Sequence, residues 1–320
     1  MKEGKLKHIL QSNRAINRLV VLYKEKEKHV SYGKENPDKT FFVIRRNAPD
    51  AGLFSFAITN IGWIKYAIDN GYIPVVDMEN YSNAYITKEN VGKINAWDYY
   101  FKQPSGYYFN DIAHSKNVII SSLNAASNKP DFNDLGSIDY WNTFSREYFS
   151  LSDAVINETD RKEKELFDRK RVLGVLCRGT DYSSLKPHGH PIQPDPNMVI
   201  EKANEEMKRT CCEKIYLATE DESIYEIFVR EFGDRLLTIS TERYSNTGKR
   251  LLNEITEQNE NGLSDPAREK YKKGFDYAVT IGLLSRCKCL VAGQTSGTLG
   301  ALLLTKGYES VYLFDLGNYS

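Results

Sequence analysis

Short apolar runs that end in polar or glycine-bearing loops alternate along most of this chain with stretches of helical period. Residues 5–23 place Leu6, Ile9, Leu10, Ile16, Leu19, Val20 and Tyr23 at helical spacing, with lysines on the other face and in the following KEKEKH. A basic amphipathic helix of this kind either lies on an anionic membrane surface or packs its apolar stripe on the first domain. TFFVIR, Thr40 to Arg45, predicts a strand, and the loop RNAPDAG leads from it into an apolar helix from about Leu53 to Asn70. Gly71 ends that helix, and the strand YIPVVDM starts at Tyr72. NVIISS, Asn117 to Ser122, predicts a further strand. From Tyr140 to Arg171 the chain turns polar, charged and helical, which reads as a bridge between domains.

The second half repeats the alternation more clearly. VLGVLC, Val172 to Cys177, runs into RGTDY, and KIYLAT, Lys214 to Thr219, runs into EDES. Between them lie the turn-rich KPHGHPIQPDP and the helical MVIEKANEEMKR, so strand, crossover and strand form a parallel βαβ unit. A helix over Ser223 to Phe232 and a strand RLLTIS ending at Ser240 follow. Residues 241–270 lack periodicity and read as a long surface excursion. A helix from about Lys273 to Ser285 then leads to CKCLVAG, the loop QTSGTLG, a small-residue helix and the strand SVYLF. The fold class is α/β, two Rossmann-like domains with parallel sheets, divided as residues 1–150 and 151–320 with the bridge at about 140–171. Ligands of such sheets bind outside the carboxyl ends of the strands, where the polar clusters fall.

A chain of 320 residues is long for a single core, and a hydrophobic share of 41% suffices for two. The formal charge of zero argues against general affinity for nucleic acid. No apolar run approaches the ~18 residues of a membrane span, and the start lacks a signal-peptide pattern, so a cytoplasmic protein is expected. The five cysteines are odd in number, with three in or beside predicted core strands, which suggests reduced thiols. Cys287 and Cys289 would point the same way along a strand, but no second ligand pair stands near, so buried structural thiols are expected rather than a metal site.

Three clusters carry candidate chemistry. Gln294, Thr295, Ser296 and Gly297 follow a strand and open a helix, so backbone N–H groups and hydroxyls converge where a phosphate or carboxylate is favoured. The alternative is a capped helix with glycines for close packing. Neither GxGxxG nor GxxxxGK[ST] spacing occurs there, and no histidine follows to support a hydrolase elbow. Arg178, leaving a buried strand ahead of Gly179, Thr180 and Asp181, suits a diphosphate oxygen pair through its guanidinium fork, unless it forms a turn salt bridge with Asp181. Glu220 and Asp221, after Thr219, are acceptors at the same sheet edge suited to ribose hydroxyls or guanine N–H groups, or else they begin the next helix. His188 and His190 lack further ligands for a metal, and no D-x-D triplet occurs, so cationic side chains and helix N-termini would take a leaving charge. In the first domain Asn47, Asp50 and Gly52 stand in the loop after the first strand. The aromatic stretch Asn95 to Phe101 is either a sugar-stacking wall or core.

Taken together, LCRGTDY, His190-Pro191-Ile192, YLATEDES and LLSRCKCLVAGQTSG resemble, in order and approximate spacing, the motifs of the fucosyltransferase superfamily across roughly Val172 to Leu304. That group includes α1,6- and α1,2-fucosyltransferases and protein O-fucosyltransferases. The resemblance implies a GT-B architecture, inversion at the transferred carbon, no metal or other cofactor, and GDP-fucose as donor substrate. It implies that Arg178 binds the β-phosphate, that Thr219, Glu220 and Asp221 lie near the guanosine, and that Thr295, Ser296 and Gly297 surround the diphosphate. Asp181 would shape the same pocket, with Thr180 and Gln294 as further candidates there; Asn47, Gly52 and His190 are candidates for the acceptor side if the two sheets face each other. Departures from the family pattern are Leu176 for a histidine, Gly179 for a second arginine, Tyr182 for a lysine and Thr280 for an aspartate, with Asp276 one turn earlier.

The expected activity is sugar transfer to a glycan or glycolipid hydroxyl in bacterial surface polysaccharide synthesis. Arg178 would stabilise the leaving charge, and Asp50, or secondly Asp181, would take the acceptor proton. The expected partners are the nucleotide sugar, a glycan or lipid-linked glycan, and an inner membrane face touched through the N-terminal helix. The rivals are a transferase of a different nucleotide sugar, a non-catalytic nucleotide- or glycan-binding protein on the same fold, and another α/β enzyme with a nucleotide cofactor.

Overall fold

The computed structural model describes residues 26–179, 186, 188–244 and 265–320. The helix expected over 5–23, most of the excursion expected at 241–270, and Thr180, Asp181 and Tyr182 lie outside the described residues.

The first unit contains β1 (Lys28–Val30), β2 (Glu35–Arg45), α1 (Leu53–Asp69), β3 (Ile73–Asp77), α2 (Ala96–Tyr100) and β4 (Ser115–Ile120). Its sheet runs β1-β4-β2-β3. β2 is parallel to both β3 and β4, as the βαβ pattern requires. The sheet is not wholly parallel, contrary to expectation, because β1 lies antiparallel on the β4 edge. That three-residue KHV segment is mostly exposed and too short to carry a period. β2 also begins five residues earlier than TFFVIR, in the polar ENPDK, and its register with β4 shifts between Glu35 and Thr40.

The chain then crosses through α3 (Ile138–Tyr148) and α4 (Asp153–Phe167) to the second unit. This holds β5 (Val172–Leu176), α5 (Pro196–Thr210), β6 (Lys214–Ala218), α6 (Glu222–Phe232), β7 (Leu236–Leu237), α7 (Pro266–Leu284), β8 (Cys289–Ala292), α8 (Ser296–Leu304) and β9 (Ser310–Leu313). Every pairing in the order β7-β6-β5-β8-β9 is parallel. The strand expected to Ser240 pairs only over Leu236–Leu237, and beyond it the Thr238 hydroxyl and Ile239 carbonyl accept from Arg243 Nη2. α7 begins seven residues before Lys273, where Asp265 caps Arg268 N–H and Pro266 takes the first turn.

The stretch between the two units is helical, as its sequence predicts, and the units share apolar surface across it. One contiguous apolar cluster runs from Phe42 and Phe54 through Tyr100 and Trp141 to Leu284, Leu290 and Leu303. Smaller clusters cover the outer face of each sheet. α3 and α4 are amphipathic, and Trp141, Val155 and Phe167 turn inward to that shared core. Phe54 packs its ring where any side chain at Gly300 of α8 would stand. Asn142 Nδ2 donates to the carbonyls of Leu302, Leu303 and Thr305, satisfying the orphan end of α8 from the crossover helix α3.

Two further expectations resolve here. Trp97, Tyr100 and Phe101 are at most 1% exposed, so the aromatic stretch is core and not a stacking wall. Asn95 likewise serves the backbone, bonding Met78 N–H and the Val76 carbonyl. All five cysteines are free and only Cys211 is exposed. Cys287 and Cys289 pack in different clusters on opposite faces of the sheet, because Cys287 sits in the turn before β8 and not in the strand.

Candidate functional site

Chain order in the second sheet starts at β5, grows outward through β6 and β7, then returns to the other side of β5 with β8 and β9. The direction of winding therefore reverses between β5 and β8, and a crevice opens beyond their carboxyl ends. Gly293 N–H donates to the Leu176 carbonyl at 3.3 Å, which fastens the two strand ends side by side.

Arg178 leaves β5 at this crevice, after Cys177 N–H has bonded the Ala218 carbonyl at 3.1 Å. Its Nε stands 3.7 Å from Glu220 Oε1, both side chains being about three-quarters buried at 26% and 25% exposure. Gly179 N–H donates to the same Glu220 oxygen at 3.3 Å. A Cβ at Gly179 would meet the Asp221 carboxylate and come within 2.7 Å of Ile224 Cδ1, so any side chain there must displace both.

Asp221 caps α6: its Oδ1 accepts from the N–H groups of Ser223 and Ile224 at 2.9 and 3.1 Å. The helix-start reading of this residue thus holds for Oδ1. The Thr219 hydroxyl accepts Asp221 N–H at 3.2 Å. Tyr244 lies alongside, its N–H on the Glu220 carbonyl and its own carbonyl on Glu222 N–H. Glu220 thereby ties together the ends of β5, β6 and the segment after β7.

Across the crevice, Thr295 caps α8 by accepting Thr298 N–H at 3.1 Å. The Thr298 hydroxyl is spent on the Gly293 carbonyl at 2.6 Å. No acidic residue stands in the first turn of α8, while Gln294 and Ser296 are half-buried. A capped helix and an anion-favouring N-terminus are here the same object, since the cap takes one of the orphan N–H groups. Burial pushes the neighbouring Cys177 thiol far up, and the charges of Glu220, Asp221 and Asp195 add to this, so it is no nucleophile.

The first unit reaches this place through aromatic rings. The Tyr277 hydroxyl of α7 lies against Gly297 in the first turn of α8, and Phe54 meets the Tyr277 ring edge-on at 5.6 Å. Phe54 is the second residue of α1, so the N-terminal turns of α1 and α8 converge on one tyrosine. The α1 N-terminus at Gly52 has no side-chain cap and opens on free space. Asn47 and Asp50 are exposed in the loop before it. Arg46 Nη1 donates to the Ser55 carbonyl at 2.7 Å, and burial lowers the guanidinium pKa. His190 is exposed, with its carbonyl bonded to Tyr319 N–H in the strand-like pairing of residues 189–192 with the C-terminal tail. Among the described residues no group of three or more His, Cys, Asp or Glu side chains could hold a metal ion. No helix among them is long and apolar enough to cross a membrane.

Three residues at the site escape sequence reasoning. Gln193 Nε2 donates to the Pro191 and Gln294 carbonyls, both at 3.1 Å. Arg243 stacks its guanidinium 3.9 Å from the Tyr225 ring centre, beside Tyr244. Tyr277 is the third. Gln193 could have been suspected from its place next to the HPI motif; Tyr277 and Arg243 carry no local signal.

Two facing α/β units with mostly parallel sheets and a crevice at the second sheet's edge make the GT-B architecture. The fold is similar to that of the NodZ α-1,6-fucosyltransferase soaked with GDP-fucose, with a TM-score of 0.52 and 15% identity over 87% of this chain and 96% of that one. The selenomethionine form of fucosyltransferase NodZ from Bradyrhizobium gives 0.51 at 15% identity over 88% and 97%. NodZ co-crystallised with GDP gives 0.50 at 14% identity over 83% and 93%. No family model matches the sequence, and no curated protein matches it.

Proposed function

We propose that this chain is an inverting glycosyltransferase that takes L-fucose from GDP-fucose and passes it to a hydroxyl of a glycan or lipid-linked glycan. The observation that carries the reading is the placement of Arg178 at the end of β5 beside the N-terminus of α8 at the end of β8. A cation and a helix N-terminus on the two sides of a switch-point crevice suit the two charges of a nucleoside diphosphate. The motif order and the GT-B fold support the same class of donor.

In this reading the acceptor oxygen attacks the anomeric carbon as the bond to the β-phosphate oxygen breaks, and the configuration inverts. GDP leaves with the bonding pair. Arg178, the α8 N–H groups, Thr295, Ser296 and Gly297 hold its developing charge without a metal. Thr219, Glu220 and Asp221 face the nucleoside, Gln294 borders the diphosphate, and Thr180 and Asp181 contribute to donor binding. Asp50, in the loop before α1, takes the acceptor proton, with Asn47, Gly52 and His190 on the acceptor side. The N-terminal segment brings the enzyme to the cytoplasmic membrane face, where a lipid-linked acceptor for surface polysaccharide resides.

The test is a thermal-shift panel of GDP-fucose, GDP-mannose and UDP-sugars, with donor hydrolysis followed alongside. GDP-fucose at about 100 times its Kd should stabilise the fold by about 2.7 kcal/mol. A panel without any shift overturns the donor reading. A shift without hydrolysis or transfer favours a binding protein on the same fold.

A further inference from the structure

Gln193 is 7% exposed, and its carboxamide faces the strand end rather than solvent. Both protons of Nε2 go to backbone carbonyls, Pro191 on its own loop and Gln294 at the crevice. Those two bonds fix which end of the amide is the acceptor. Oε1 then lies against Gly293, 2.5 Å from where a Cβ would stand, and has no hydrogen-bond partner among the described residues. A buried acceptor held in place beside the α8 N-terminus calls for a donor from outside the protein.

The chemistry of that donor is restricted. Phosphate oxygens of a diphosphate carry no proton at neutral pH once ionised, so they cannot satisfy Oε1. An O–H or N–H group must do so. Position along the sheet edge selects between the two ends of a nucleotide sugar. Glu220 and Asp221 stand on the β6 side of Arg178, whereas the Gln193 loop is bonded to the tail after β9, through Ile192 N–H on the Gly317 carbonyl. A diphosphate laid over β5 and β8 sends its nucleoside one way and its sugar the other.

We propose that Gln193 is a specificity-determining residue whose Oε1 accepts a hydrogen bond from a hydroxyl of the transferred sugar. This rests on the nucleotide-sugar reading of the crevice. The experiment compares binding of GDP, GDP-fucose and the 2-, 3- and 4-deoxy forms of GDP-fucose to wild type and to Gln193→Met, which keeps the side-chain length without the amide. In wild type one deoxy donor should bind about tenfold more weakly than GDP-fucose. In Gln193→Met, GDP should bind within about twofold of wild type, and that deoxy donor should lose its handicap. Equal weakening for GDP and GDP-fucose would show a loop effect and overturn the proposal. So would a wild type indifferent to all three deoxy donors, a result that needs no variant to fold. A wild type that binds GDP but gains nothing from any sugar overturns the inference alone. A wild type that binds none of these ligands overturns the donor reading beneath it.

Discussion

Arg178 Nε and Glu220 Oε1 stand 3.7 Å apart, and that same Glu220 oxygen also receives the Gly179 N–H. One carboxylate thus orients both the cation and the backbone that carries it. The pair is partly solvated, so its worth to the fold is about 0–1 kcal/mol. Replacing Arg178 by Ala should therefore cost transfer at least about 100-fold while the melting temperature moves little. Initial rates with GDP-fucose, set against thermal unfolding of the same preparation, check this. Parallel loss of rate and stability would place Arg178 in the scaffold instead.

Gly179 faces the Asp221 carboxylate that caps α6. A methyl group there must push the cap away from Ser223 and Ile224. Gly179→Ala should lower stability by about 1–3 kcal/mol, and Asp221→Ala by about 1 kcal/mol through the lost cap alone. Urea unfolding of the two variants and the double mutant checks the coupling. A strictly additive double mutant would contradict it.

Asp98 gives the pH dependence. Burial is the main cause that raises its carboxyl from 3.8 to about 6; the Gln103 amide opposes this and the Glu79 charge adds to it. The folded protein holds this proton where the unfolded chain has already lost it. This contribution to stability is therefore complete below about pH 4, falls as pH rises towards 6, and is absent above. Asp98→Asn keeps an acceptor for Gln103 Nε2 and should stabilise the protein at pH 7.5 by about 1–2 kcal/mol. Urea midpoints from pH 4 to 8 should show that the gain shrinks towards acid.

Asn142 closes the end of α8 from α3 with three hydrogen bonds, and its residue is 8% exposed. Asn142→Leu leaves buried carbonyls without donors and should cost about 2–4 kcal/mol. Because the apolar cluster is continuous, far-ultraviolet circular dichroism and tryptophan fluorescence should report one coincident transition in wild type. Two separated transitions would contradict a shared core.

The strands at Val172–Leu176, Lys214–Ala218 and Cys289–Ala292 were legible because each is an unbroken apolar run, buried on both faces and stopped by turn residues. Arg178, Glu220 and Thr295 were legible for the same reason, since the strand that ends before each of them fixes its place at the sheet edge. The shared core was not. Phe54, Tyr100 and Tyr277 have the pattern of ordinary core residues, and nothing local says that their partners lie in the other unit. β1 is too short and polar to signal itself, and Arg243 binds the Thr238 hydroxyl and Ile239 carbonyl from a segment without periodicity.

The contact of Phe54 with Gly300 and Tyr277 has a consequence for modularity. In many two-unit enzymes either half can be exchanged for that of a relative across a linker. Here the second unit owes part of its interior to α1 and α3, and the C-terminal end of α8 is closed by a side chain from before the junction. A graft of Val172–Leu313 onto a foreign first half would expose an apolar wall and leave the α8 carbonyls bare. The unit of exchange, in design or in descent, is therefore the pair of sheets with the two helices between them.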